Sequence, residues 1–269
     1  MIRLVISDVD GTLVTQEKRL TGEAIAAARE LNSAGVTLAI TSGRPPRGMQ
    51  MLVEPLRLEG QIAGFNGGVF VYPDMKVAAT HLLPAEEAKE AVRLILAAEL
   101  DAWLYTAEDW LVRDQYAPHV AREAKTVGFE AKVTRRFSDE HFANAVKIVG
   151  VSDDHANVAR CEKTAQAALG ARASVSRSQP YYLDVTHPLA NKGEVVTTLS
   201  KLLHVEPAEI ATIGDGANDV LMFARSGYSV AMGNASDEVK AKAAAVTATN
   251  EEEGFAKAMR DLILPRSRG

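Results

Sequence analysis

Asp8-Val9-Asp10-Gly11-Thr12 follows directly on the apolar run 4–6. Carboxylates two residues apart point to one side of an extended segment, and Gly11 lets the chain turn tightly behind them. Asp-Gly is ordinary turn chemistry, but a turn does not require the first Asp to follow a buried strand at once. A carboxylate pair beside apolar backbone is unfavourable unless a cation or a proton compensates it. Gly214-Asp215-Gly216-Ala217-Asn218-Asp219 follows the apolar run 210–213 in the same way. Its glycines free the backbone, and Asp215 and Asp219 are hard oxygen ligands of the kind Mg2+ prefers. Paired with the first motif on a second strand of one sheet, this loop points to a metal-assisted site.

Two smaller elements fit the same chemistry. Thr41-Ser42-Gly43-Arg44 follows the run 36–40, where a hydroxyl and nearby backbone N–H groups suit a phosphoryl oxygen at a helix start. Lys192, in Asn191-Lys192-Gly193, opens a helix, where its charge opposes the dipole and an anionic partner would offset it. A capping hydroxyl and a solvated lysine are the plainer readings of these two.

The elements that position these residues alternate in the first third of the chain. Runs 4–6, 36–40 and 62–65 read as buried strands. Between the first two, Thr21 is a candidate N-cap for a helix carrying Ile25, Ala28 and Leu31, stopped by Gly35. A second helix is expected over 47–56. Repeated β–α order implies right-handed crossovers and ligand sites at the carboxyl ends of the strands, the edge where Asp8, Ser42 and Asn66 fall. From residue 69 the style changes to a hairpin at 69–83 about a Pro73-Asp74-Met75 turn, then helices over 86–99 and 154–169 among strands at 103–105, 146–151, 175 and 181–185. After Pro188 the alternation resumes, with a helix over 192–203 and strands at 210–213, 228–232 and 245–247. Mixed order between two blocks of strict alternation predicts an inserted second domain.

The chain has 269 residues, with 30 Lys and Arg against 35 Asp and Glu, a formal net charge of −5 and 47% hydrophobic residues. This is a globular balance, sufficient for one large domain or two smaller ones. The acidic excess argues against a general nucleic-acid or anionic-membrane binder. The single cysteine, Cys161, excludes an intrachain disulfide. The opening residues do not read as a secretory signal, and no run approaches the roughly 20 apolar residues of a spanning helix. A cytoplasmic protein without nucleic-acid or membrane partners is expected.

The order of motifs resembles the haloacid dehalogenase-like phosphatases, specifically the Cof-type members with a large α/β cap inserted after the third core strand. The resemblance covers nearly the whole chain. It rests on Asp-Val-Asp-Gly-Thr at 8–12, Thr-Ser-Gly-Arg at 41–44, Asn-Gly-Gly at 66–68, Asn-Lys-Gly at 191–193 and Gly-Asp-Gly-Ala-Asn-Asp at 214–219. It implies a Rossmann-like three-layer α/β core with a mainly parallel sheet at 1–82 and 188–269, and an α/β cap at 83–187. It also implies a Mg2+-dependent phosphatase for small phosphorylated metabolites, with sugar phosphates the leading class. Asp8 matches the family nucleophile, which forms an aspartyl-phosphate, and Asp10 the acid/base. Ser42 takes the place of the motif hydroxyl, with Thr41 as the neighbouring candidate. Ser42, Gly43, Arg44, Asn66 and Lys192 would surround the phosphoryl or leaving group, although Arg44 could equally cap a helix or pair with an acid. The resemblance has Asp8, the Asp10 backbone carbonyl and Asp215 hold Mg2+, with Asp219 as a further ligand and Asn218 behind them.

A phosphomutase or phosphotransferase would use the same motifs. Receiver-type signalling domains also combine Asp, Lys and Mg2+, but they lack a reason for the inserted hundred residues and for Asp10. A phosphosugar-binding module without turnover is a third class. Outside the site, Trp103, Tyr105 and Trp110 are expected in the core, Asp184 at a strand or domain junction, and the histidines at surface or structural positions. Cys161 belongs to a helix, the basic stretch 132–136 to a solvated strand face, and 265–269 to a frayed end.

Overall fold

A parallel strand covered on both faces has to be apolar along its length, and Leu4, Val5 and Ile6 are fully buried. A computed structural model of the protein describes residues 1–267. In chain order its strands are β1 (Leu4–Asp8), β2 (Thr37–Thr41), β3 (Ile62–Gly64), β4 (Val69–Val71) and β5 (Val77–Thr80). There follow β6 (Asp101–Tyr105), β7 (Trp110–Val112), β8 (Lys132–Val133), β9 (Lys147–Val151), β10 (Ser174–Gln179) and β11 (Tyr182–Thr186). The last are β12 (Ile210–Gly214), β13 (Tyr228–Ala231) and β14 (Ala245–Val246).

They form two sheets. The first has the order β14-β13-β12-β1-β2-β3-β4-β5 and is parallel from β14 to β3, with β4 and β5 antiparallel at one edge. Val5 and Leu38 bury one face against Ala28 and Leu31 of the helix Gly22–Ser33. Leu4 and Ile6 bury the other against Val195 and Leu199 of the helix Lys192–Leu203. The result is the three-layer α/β core. Thr21 caps its first helix, accepting the Ala24 N–H at 3.1 Å.

Register decides which residues meet. Asp8 lies opposite Thr41, and Ser7 opposite Ile213. The ends of β1, β2 and β12 therefore come level at one edge, and the polar residues that follow each strand converge there.

The second sheet has the order β10-β11-β9-β6-β7-β8. One face, with Ala102, Leu104, Ile148, Leu183 and Val185, packs on the helices Ala85–Ala97 and His155–Leu169. The alternate residues Trp103, Tyr105 and Val149 join the apolar cluster of the first sheet. Trp103 and Trp110 meet edge to face at 5.2 Å and are buried as expected.

Three expectations are corrected. The segment expected as a helix over 47–56 is a tight 3-10 turn, Pro46–Leu52, running into a short helix, Val53–Leu56; Pro55 has no N–H to extend regular α-helical bonding. The terminus is docked as far as it is described: Leu264–Ser267 is helical, and the Ile2 N–H donates to the Arg266 carbonyl at 2.9 Å. Arg268 and Gly269, included in the expected frayed end, lie outside the described residues. The stretch between β6 and β9, given little structure from sequence, contains β7, β8 and the helix Val120–Val127.

Candidate active site

The floor of the site is built on the level ends of β1, β2 and β12. Lys192, only 2% exposed at the start of its helix, places its Nζ 2.5 Å from both Asp8 Oδ1 and Asp219 Oδ1. Asn191 caps that helix by accepting the Glu194 N–H at 3.0 Å, which fixes the turn from which Lys192 projects. The other oxygen of Asp219 accepts the N–H groups of Asp215 at 3.0 Å and Gly216 at 2.8 Å, bracing the loop. Asp215 accepts from the Thr12 hydroxyl at 3.3 Å and from Asn234 Nδ2 at 3.1 Å. Gly11 has φ +82, and a Cβ there would run into the Asp215 carboxylate. Only glycine allows the two motifs to approach this closely.

Electrostatics follow from that packing. Burial, reinforced by Asp219 and Asp215, raises the Asp8 carboxyl above its ordinary range against the pull of Lys192. Burial alone would lower the Lys192 ammonium, but Asp8 and Asp219 together hold it protonated above the usual lysine value. Burial and then the Asp219 charge raise Asp215. Asp8, Asp215 and Asp219 offer carboxylate oxygens that all lie within 4.8 Å of one another. A hard divalent cation fits this donor set and relieves its repulsion.

Asp10 points elsewhere. Its carboxylate faces Arg44, with Arg44 Nε at 2.8 Å from Oδ2 and Nη2 against Oδ1. It also meets Lys18 Nζ at 2.6 Å. Burial acts against ionisation, but Arg44 and then Lys18 hold this carboxyl below its ordinary value. Arg44 thus takes the acid-pairing role left open by the sequence. Asp10's side chain stays outside the carboxylate cluster, leaving its backbone carbonyl as the only way for it to join a metal site.

Thr41 and Ser42 differ in where their hydroxyls point. The Ser42 hydroxyl lies in the cleft, donating to Asp10 Oδ2 at 3.3 Å and accepting the Arg44 N–H at 3.2 Å. The Thr41 hydroxyl is buried within the fold without a partner among the described residues. Gly43, Asn66 and Asn218 line the same cleft, and Asn218 Nδ2 donates to Asn66 Oδ1 at 3.3 Å. Apart from Thr41, the candidate residues from the sequence are brought together at this cleft.

The cleft, about 610 Å3, has a second wall. Tyr105 on β6, Lys147 on β9, Tyr182 and Asp184 on β11, and Arg122 and Glu123 of the helix Val120–Val127 line it. Asp184 is on a strand as expected, but it also faces the cleft and pairs with Lys147 at 2.6 Å. Tyr105 has a buried ring and a hydroxyl that donates to Glu123 at 3.0 Å. Lys18, Asn234, Glu123 and Lys147 were missed in the sequence. Asn234 follows a recognised parallel strand and so falls on the ligand-bearing edge, a signal that was available. Lys147 and Asp184 interrupt otherwise apolar strands, which was the only other trace.

A family model of haloacid dehalogenase-like hydrolases matches residues 5–259, and the chain belongs to that family. Its two-sheet architecture, with a mainly parallel core sheet, accords with that family. It is 28% identical over 242 residues to an HMP-PP phosphatase of Serratia proteamaculans, spanning 89% of this chain and 87% of the relative. It is 26% identical over 265 residues to the 5-amino-6-(5-phospho-D-ribitylamino)uracil phosphatase YcsE of Bacillus subtilis, spanning 98% and 96%. A crystal structure of a haloacid dehalogenase-like hydrolase from Bacteroides thetaiotaomicron matches with a TM-score of 0.90 at 27% identity, over 97% of this chain and 100% of that one. Among the described residues no helix is long and apolar enough to cross a membrane.

Proposed function

We propose that the protein is a Mg2+-dependent phosphatase of small phosphorylated metabolites, with sugar phosphates the leading class, working through an aspartyl-phosphate on Asp8. One observation carries the reading: Asp8, Lys192, Asp215 and Asp219 meet, largely buried, on the floor of a cleft with a polar opposite wall. The relatives named for HMP-PP and for a phosphoribitylamino uracil support a small phosphorylated substrate. Residues 83–187 act as the cap, and 1–82 with 188–269 as the catalytic core. A cytoplasmic setting accords with the lone, buried Cys161 thiol.

In the first half-reaction an Asp8 carboxylate oxygen bonds to phosphorus as the bond to the leaving oxygen breaks, and Asp10 delivers a proton to that oxygen. In the second, water attacks the phosphorus of the aspartyl-phosphate and Asp10 takes its proton. Inorganic phosphate leaves and Asp8 is restored. Lys192 orients Asp8 and offsets phosphoryl charge, while the Ser42 hydroxyl and Gly43 hold phosphoryl oxygens. Arg44 and Lys18 keep Asp10 ionised at rest, so both must turn towards the phosphoryl group before Asp10 takes up the proton it delivers. Asp8, Asp215 and the Asp10 carbonyl would hold Mg2+, with Asp219 beside them and Asn218 behind, and the ion supplies charge stabilisation to the transferring group. The cap excludes bulk water.

The test is release of p-nitrophenol from p-nitrophenyl phosphate with Mg2+, its loss on chelation, and a panel of phosphorylated metabolites. Failure to hydrolyse any ester with Mg2+ present would sink the proposal.

A further inference from the structure

The four aspartates on the floor are not held alike. Asp8 and Asp219 share the Lys192 ammonium, and Asp10 is paired with Lys18 and Arg44. Asp215 makes no ion pair among the described residues. Its oxygens are held by neutral donors, Oδ1 by the Thr12 hydroxyl at 3.3 Å and Oδ2 by Asn234 Nδ2 at 3.1 Å. A lysine in either place would bond to the carboxylate as well, but it would cancel the negative charge that attracts a cation. A neutral donor fixes the direction of a ligand carboxylate and leaves its charge intact.

Asn234 lies in the loop behind β13, and its amide has one orientation. The Asn250 N–H can only donate, and it does so at 3.0 Å, so the Asn234 atom facing it is the oxygen. The NH2 group therefore turns to the site, where it meets the Gly11 carbonyl at 2.9 Å as well as Asp215 Oδ2. Its two hydrogens serve the two acceptors. Asn250 is itself anchored, since its Nδ2 donates to the buried Val14 carbonyl at 3.0 Å. Amides thus link the turn behind β1, the loop behind β13 and residue 250 around one carboxylate. Gly11 lacks the Cβ that would run into Asp215. Glycine permits the two motifs to meet, and Asn234 bonds them together. The turn it fixes follows directly on the Asp10 carbonyl.

We propose that Asn234 is a positioning residue for the divalent cation, aiming the Asp215 carboxylate and fixing the Gly11 turn beside the Asp10 carbonyl while neutralising neither. This rests on the Mg2+-dependent reading of the site and deepens it. Asn234 is not among the residues that line the cleft, so its effect is read in cation affinity and not in substrate contact.

The experiment measures the Kd for Mg2+ by isothermal titration calorimetry, and Tm in chelator, for the wild type, Asn234→Ala and Ser236→Ala. Asn234→Ala is expected to weaken Mg2+ binding at least about tenfold. Its Tm in chelator is expected to stay within about 3 °C, because the side chain is exposed. Ser236 caps the helix Asp237–Lys240 by accepting the Val239 N–H and does not touch Asp215. Ser236→Ala is therefore expected to lower Tm and leave Kd within about threefold. A merely structural Asn234 would lower Tm and leave Kd unmoved. In the unaltered protein, the Asn234 side-chain amide resonances are expected to shift saturably as Mg2+ is added. A smaller loss of affinity in Asn234→Ala, an equal loss in Ser236→Ala, or amide resonances that stay fixed while Mg2+ binds overturns this proposal alone. No Mg2+ binding by the wild type overturns the Mg2+ reading and this proposal with it.

Discussion

On the floor of the cleft Asp8, Asp10, Asp215 and Asp219 face Lys18, Arg44 and Lys192, while on the cap wall Glu123 and Asp184 face Arg122 and Lys147. The floor keeps an excess of negative charge and buries it, with Asp8 and Lys192 almost without solvent contact. The wall is balanced in charge and less deeply buried than the floor. Excess buried charge needs a counter-charge, and the floor's carboxylates suit a divalent cation. Balanced, partly hydrated charge exerts little net pull on another ion, which leaves hydrogen bonding as its means of recognition. One side concentrates buried charge, and the other lines the rest of the cleft with paired charge and hydroxyls.

That contrast can be broken most directly at Asp8. Asp8→Asn removes the attacking oxygen's charge, and kcat for p-nitrophenyl phosphate is expected to fall on the order of 10⁴-fold; near-native turnover by the purified variant would contradict the mechanism. Lys192→Met comes next. It leaves Asp8 and Asp219 buried without their shared cation, and loss of one partner from a buried pair costs about 3–5 kcal/mol. For a chain of this size that corresponds to a fall in Tm of roughly 10 °C in chelator, measurable by thermal denaturation. An unchanged Tm would mean the floor tolerates unpaired charge as the wall does.

The cation itself gives a pH signature. Burial, with Asp219 close by, raises Asp8 and Asp215. A raised carboxyl stabilises the fold fully below its unfolded value near 4, and that contribution is lost as pH climbs from there through the folded pKa. Mg2+ competes with those protons. At a hundredfold excess over Kd it is expected to add about 2.7 kcal/mol, or roughly 5 °C in Tm, at pH 8 and progressively less towards pH 5. A shift that does not vary with pH would detach the cation from these carboxylates.

Smaller effects separate neighbours. Ser42→Ala is expected to lower kcat/KM about tenfold through a lost phosphoryl contact. Thr41→Val removes a buried hydroxyl that has no partner among the described residues and is expected to leave stability equal or higher by up to about 1 kcal/mol. The smallest effect belongs to the wall: Lys147→Met combined with Asp184→Leu is expected to change unfolding free energy by less than about 1 kcal/mol, in contrast to Lys192→Met. A large loss in urea denaturation would show the wall pair to be structural.

Most of the floor was legible because its aspartates and Ser42 follow apolar strands in a parallel arrangement, so order along the chain implies convergence in space. Asp8, Asp10, Ser42 and Asp215 could be named on that basis, and Lys192 from its place at the start of a helix. The cap was less legible. Its elements between β6 and β9 are short, with β8 covering only Lys132–Val133, too few residues for a period to register. Glu123 lies in this stretch and carries no motif. Asp184 was visible as a polar interruption, but its meaning depended on which face of its sheet turned to the core.

The sequence by itself determined the class of fold, the convergence of the floor residues and the chemistry they can perform, because strand direction and residue type are local properties that parallel topology converts into position. Only the tertiary structure turned Ser42 and not Thr41 to the cleft, joined Asp10 to Arg44 and Lys18, and brought Lys147, Asp184 and Glu123 to the cleft. Those are questions of side-chain direction and of how two sheets face each other. They are set by packing between residues far apart in the chain, and strand period alone does not specify them.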